Sequence, residues 1–236
     1  MALGKLFMIP VTLGDENIKQ VLPENVVSIT QDIDTFVVEN EKSARRFLSL
    51  IKTKKPVREL ELYLLNEHSN EKDIPALIAP LLAGKDVGML SEAGCPGIAD
   101  PGALLAAAAH KKGIQVIPLV GPSSILLSLM ASGLNGQRFT FLGYLPSEKN
   151  ERVNKLKEIE KHSLKHNETQ IFIETPYRNQ HMLEDILGHC NPNTKLCLAR
   201  NISFSSELIA TKTVAEWKKS ELPNLHRQQT VFLMLA

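Results

Sequence analysis

Short apolar runs alternate with longer amphipathic segments from one end of this chain to the other, and that rhythm leaves few folds open. Runs of strand length separated by stretches of helix length are the pattern of strands and helices taking turns in a mostly parallel sheet. Strands are predicted over 6–10, 35–39, 61–65, 87–91 and 115–119, then over 139–143, 170–174, 195–200, 207–211 and 230–235. Their Val, Ile, Leu and Phe suit burial on both faces. The predicted fold class is α/β.

Helix signals fill the gaps. Pro23 opens one helix, Asp73 caps the next with Pro75 tolerated just inside, and Gly84 ends it. Pro101-Gly102 starts the Ala-rich segment 103–112, which Gly113 stops. Segment 147–165 is highly charged and reads as a solvated helix packed by Val153, Leu156 and Ile159. Ten strands are many for one sheet, and Pro118-Leu119-Val120-Gly121-Pro122 brackets a turn between halves of similar length. The domains expected are 1–118 and 119–236.

Composition narrows the function classes. The 236 residues are 43% hydrophobic, enough for one large core or two smaller ones. Lys+Arg of 27 against Asp+Glu of 26 gives a net charge of +1, so a polyanion must find a local patch rather than a general field. Cys95, Cys190 and Cys197 are odd in number and lack paired C-x-x-C spacing, which argues against a disulfide framework or structural zinc and fits a reducing cytoplasm. His162 and His166 stand four apart on a polar segment with no third ligand suggested, and no metal is expected. No run approaches the ~18 apolar residues of a membrane span. Trp217 reads as a helix anchor, and aromatic residues at 5% disfavour a single-strand surface built on stacking.

The chemistry concentrates in three loops. Residues 91–102, SEAGCPGIADPG, follow a strand and precede a helix, at the strand end where open α/β sheets bind ligands. Connections there usually take about 2–6 residues, so this longer one, with three glycines and two prolines, suggests a shaped pocket. It matches neither G-x-x-x-x-G-K-[ST] nor G-x-G-x-x-G, so a cofactor without phosphates fits better than a nucleotide polyphosphate. Gly121-Pro122-Ser123-Ser124 opens the helix 125–132, where the serines can cap the helix or hold a ligand carboxylate. Pro10-Val11-Thr12-Leu13-Gly14-Asp15 follows the first strand.

Together these loops resemble the class III, tetrapyrrole-methylase-like methyltransferases, and within them the branch that methylates a ribose 2′-hydroxyl of small-subunit ribosomal RNA. That family's S-D-A-G-T-P-G-I-S-D-P-G is present as SEAGCPGIADPG, and its P-G-P-S as Val120-Gly121-Pro122-Ser123. Ala131-Ser132-Gly133-Leu134, Arg138-Phe139, Phe141-Leu142-Gly143-Tyr144-Leu145-Pro146 and Glu174-Thr175-Pro176-Tyr177-Arg178 follow its later motifs. The resemblance covers nearly the whole chain. It implies two α/β/α domains with mostly parallel and mixed sheets, a homodimer, and S-adenosylmethionine in a cleft between the domains. Carried over residue by residue, cofactor contacts come from Leu13, Cys95, Ile98, Ser123 and Ser124, and from Ile173, Leu198, Ala199 and Thr230 in the second domain.

Departures fall in the first domain. The family's P-T-P-I-G-N becomes Pro10-Val11-Thr12-Leu13-Gly14-Asp15, its A-E-D-T-R becomes Val38-Glu39-Asn40-Glu41-Lys42, and its H-E-H-N-E is loosened to Asn66-Glu67-His68-Ser69-Asn70-Glu71. Methyl transfer from a sulfonium is an in-line displacement that chiefly needs positioning and exclusion of water. A ribose hydroxyl benefits from a general base, and Glu39, at a strand end, is the candidate; the alternative is a solvated carboxylate. Arg45, Arg46 and Arg178 are candidates for contacts to substrate phosphates. The expected activity is ribose methylation of ribosomal RNA, free or in the small subunit. A tetrapyrrole-like small molecule as substrate, or a silent cofactor- or RNA-binding paralogue, stand as alternatives.

Overall fold

A computed structural model describes residues 2–14 and 17–236. Asp15, one of the departures noted above, lies outside the described residues. The chain divides into two compact units between Ser123 and Ser124.

The first unit holds β1 (Leu6–Ile9), α1 (Ile18–Val21), α2 (Glu24–Gln31), β2 (Thr35–Val38), α3 (Glu41–Ile51), β3 (Glu61–Leu64), α4 (Ile74–Leu82), β4 (Val87–Leu90), α5 (Gly102–Lys111) and β5 (Val116–Pro118). Its sheet runs β3-β2-β4-β1-β5 with every pairing parallel. Strand alternation sends successive residues to opposite faces, and both faces are covered. Ile9, Phe36, Val38 and Leu90 join Val26, Phe47 and Leu48 in one core, whereas Leu6, Val37, Val87 and Met89 join Leu77, Leu81 and Leu105 in another. The result is an α/β/α sandwich.

Asp73 stands at the N-cap of α4 but does not cap it. Its backbone is already helical (φ −82°, ψ −25°), and its carboxylate instead accepts from Asn70 N at 2.8 Å. Gly84 and Gly113 do end α4 and α5, both with positive φ.

The second unit holds α6 (Ser124–Ser132), β6 (Phe139–Tyr144), α7 (Lys149–His166), β7 (Thr169–Ile173), α8 (Asn179–His189), β8 (Lys195–Arg200), β9 (Leu208–Thr213), α9 (Val214–Lys219) and β10 (Thr230–Leu235). Its sheet runs β6-β7-β10-β8-β9; only β6 with β7 is parallel. Phe172 and Phe232 stack across neighbouring strands at 5.6 Å, and with Leu196 and Leu198 they meet Leu156, Ile159, Met182, Ile186 and Trp217 from α7, α8 and α9. Trp217 is the anchor expected, its indole N–H donating to Leu196 O at 2.9 Å. On the other face, Thr211 Oγ1 donates to Ser132 O at 2.6 Å and ties α6 to the sheet. In α7, Leu156 and Ile159 are buried as predicted, but so is Arg152, whose Nε and Nη2 reach Asp185 Oδ2 at 2.8 and 2.6 Å. That buried pair left no trace in a segment that reads as solvated.

Candidate active site

In the first unit every strand runs the same way, so all five C-terminal ends lie along one edge. Because β4, β1 and β5 are neighbours, the loops that follow them meet. Val11 N donates to Gly94 O at 2.9 Å, and the Cys95 thiol donates to Pro122 O at 3.3 Å. Gly121 lies so close to Pro10 that a Cβ there would fall 2.2 Å from the proline Cγ, which is why this turn needs a residue without a side chain.

The loop after β4 is held by its own acid. Asp100 accepts from Gly97 N at 2.9 Å and from Gly102 N at 2.7 Å, bending residues 97–102 around one carboxylate. Burial pushes that carboxyl upward, and the N–H groups of Gly97, Gly102 and Ile98 pull against it. Gly97 takes φ +84°, while Ala99 is held at φ +61°, a conformation a residue with a Cβ adopts at a cost. Asp100 was missed in the sequence, although an Asp two residues before a glycine in a Gly/Pro-rich loop is the signal of such a turn. Burial and the Asp100 charge raise the Cys95 thiol, so it stays protonated and serves as a donor rather than a nucleophile.

Glu39, at the end of β2, joins the same edge. Its N–H donates to Leu90 O at 3.2 Å, and its half-buried carboxylate accepts from Glu92 N at 3.0 Å, so it is not a freely solvated group. Burial raises its pKa; the Glu92 N–H opposes this, and the charges of Asp100, Glu92 and Glu67 add to it. A carboxylate shifted upward is a stronger base.

Beside these loops opens a cleft of about 370 Å³, lined by Thr12, Asn40, Lys42, Arg46, Phe47, Leu50, Ser91 and Glu92 among others. Asn40 caps α3, accepting from Lys42 N at 2.9 Å and Ser43 N at 3.3 Å. Asparagine is a good capping residue, so the altered 38–42 motif still opens a capped helix, and Lys42 places a cation on the cleft wall. Arg46 lines the cleft, but Arg45 does not; its guanidinium donates to Val57 O at 3.1 Å and pairs with Glu41 at 3.4 Å.

Leu13 is buried against Gly94, Ile98 is 52% exposed, and Ser123 closes the first unit. In the second unit Ser124 begins α6, and Ile173 and Ala199 flank Val231 from β7 and β8. Thr230 lies opposite Arg200, and the Leu198 side chain is committed to the core. Arg178 pairs with the buried Glu174 at 2.7 Å.

The loop 91–102 carries two acids, Glu92 and Asp100, and no Lys or Arg. Such a cradle repels a polyphosphate and suits a cationic ligand, so a sulfonium cofactor fits the residues present.

A parallel sheet whose C-terminal strand ends gather glycine-rich loops beside a cleft is the arrangement in which α/β enzymes bind their ligands. The sequence pattern of the family described as Tetrapyrrole (Corrin/Porphyrin) Methylases matches residues 19–218, and the chain belongs to that family. It is similar to proteins named Ribosomal RNA small subunit methyltransferase I. That of Halalkalibacterium halodurans is 32% identical over 224 residues, 93% of this chain and 68% of the relative. That of Buchnera aphidicola subsp. Acyrthosiphon pisum is 31% identical over 221 residues, 92% and 74% of the two chains. The crystal structure of the methyltransferase CobJ superposes with a TM-score of 0.65 at 17% identity, covering 98% of this chain and 94% of the other, and so shares the fold. The protein is a methyltransferase, and enzymes of this kind use S-adenosylmethionine as methyl donor.

Proposed function

We propose that this enzyme methylates a ribose 2′-hydroxyl of small-subunit ribosomal RNA, in the cytoplasm and as a homodimer. The observation that carries the reading is the first-unit edge itself: a base with a raised pKa, bonded to the loop after β4, stands next to a cleft lined by Lys42 and Arg46. The names of its relatives supply the substrate.

When bound, S-adenosylmethionine supplies an electrophilic methyl group. Leu13, Cys95, Ile98 and Ser123 are the cofactor contacts proposed in the first unit, and Ser124, Ile173, Leu198, Ala199 and Thr230 those in the second. Glu39 takes the proton of the attacking hydroxyl on its carboxylate, while Lys42 and Arg46 hold phosphate and fix the nucleotide. Phe47 and Leu50 give the cleft an apolar wall that excludes water from one side of the acceptor.

The test is transfer of labelled methyl groups to small ribosomal subunits and to naked small-subunit RNA, followed by nucleoside mass spectrometry. A ribose carrying the added methyl supports the reading. Transfer to a tetrapyrrole with none to RNA redirects it to a small-molecule enzyme. No transfer to any cellular fraction, with S-adenosylhomocysteine still bound, makes the chain a silent paralogue.

A further inference from the structure

Tyr177, His226 and Arg227 take no part in the transfer derived above, yet they form an ordered group on the surface of the second unit. Tyr177 is 64% exposed. The Arg227 guanidinium stands 5.5 Å from its ring centroid, and the His226 ring meets it edge-on at 6.4 Å. The arrangement is fixed by main chain: Arg227 N donates to Pro176 O at 2.9 Å, with Arg227 itself in the left-handed region at φ +59°. Asn179 Nδ2 donates to Gln228 O at 2.6 Å and anchors the same turn from behind.

Around it Glu174 Oε2, Arg178 Nε and Asn179 Oδ1 are buried, so the Tyr177 ring is what this segment offers to a partner at the surface. Tyr144, 58% exposed, ends β6 opposite Ile173, so two of the chain's three tyrosines lie exposed at one end of β7. The only acid of the segment, Glu174, is buried in its pair with Arg178, so the segment presents aromatic surface and positive charge.

We infer that this group is a stacking platform for an unpaired nucleotide of the RNA substrate, distinct from the nucleotide that enters the cleft. The base stacks on Tyr177, and Arg227 and Arg178 meet flanking phosphates. The low aromatic content of the chain argues against an extended stacking surface and leaves room for one platform. The inference rests on the RNA reading of the active site.

The experiment is steady-state methylation of a small-subunit RNA fragment by Tyr177→Ala, Tyr177→Phe and Arg227→Ala, with calorimetry of S-adenosylhomocysteine on each. Tyr177→Ala is expected to raise the KM for RNA about tenfold with kcat little changed, and Tyr177→Phe, which keeps the ring, to restore it. Arg227→Ala, at an exposed position, is expected to lower the slope of log affinity against log salt by about one phosphate contact. A wild-type enzyme that methylates RNA while Tyr177→Ala keeps its KM and Arg227→Ala its salt slope overturns the platform alone. A wild-type enzyme that binds S-adenosylhomocysteine and methylates no RNA overturns the RNA reading, and the platform with it.

Discussion

The two five-stranded sheets of this protein differ in strand sense, and the difference sorts their work. In the first unit the all-parallel order puts every strand's C-terminal end on one edge, so loops far apart in sequence gather there: residues 10–14, 91–102 and 119–123, with Glu39 beside them. In the second, antiparallel neighbours send successive strand ends to opposite edges, and the polar investment goes partly inward, to a buried Arg152–Asp185 pair with each side chain 6% exposed. A parallel sheet collects loops at one rim and suits chemistry; the mixed sheet distributes them and spends a charge pair on its own packing.

The contrast breaks most sharply at that pair. Asp185→Ala leaves Arg152 buried without its partner and is expected to destabilise the second unit by about 3–5 kcal/mol. The chain's single tryptophan, Trp217, is buried in that unit, so its fluorescence in a denaturant titration reports the loss there. Asp185 is not among the proposed cofactor contacts, so the variant should still bind S-adenosylhomocysteine at denaturant concentrations below its Trp217 transition.

Next in size is Glu39→Gln, expected to lower kcat about 100-fold or more while S-adenosylhomocysteine still binds by calorimetry. As a base Glu39 must be ionised, so wild-type activity should rise with pH through its raised pKa, and this limb should vanish in the variant. The sign for stability is opposite. A carboxyl with a raised folded pKa binds its proton more tightly when folded, so its contribution is present below the unfolded value and lost as pH rises through the folded one. Glu39→Gln should therefore be no less stable than wild type near neutrality. A variant that unfolds there, or keeps full kcat, removes Glu39 from the mechanism.

The smallest effect sharpens the first unit's side. Asn40→Ala withdraws the acceptor for two N–H groups at the start of α3 and should cost about 1 kcal/mol, read as a modest fall in melting temperature by circular dichroism.

Much of this was legible in the residues because it is local. The strands at 195–200 and 230–235 coincide with β8 and β10, and the helix stops at Gly84 and Gly113 fall where their backbones turn left-handed. Asp73 departs from its predicted cap because a capping residue type says nothing about whether the backbone there leaves the helical region. Arg45 and Arg46 read alike in sequence, yet one turns to the Val57 carbonyl and the other lines the cleft, since adjacent helical positions face different directions. Arg152 gave no signal because its partner is 33 residues away.

By itself the sequence determined the alternation of elements, the glycine- and proline-shaped loops and the family they belong to. Periodicity and turn chemistry are written in neighbouring residues. Only the tertiary structure decided that β4 lies between β2 and β1, which brings Glu39 to Glu92 and Val11 to Gly94, and that the group around Tyr177 assembles from segments about fifty residues apart in the chain. Alternation tells a strand which of its faces is apolar, and it carries no information about which strand lies alongside.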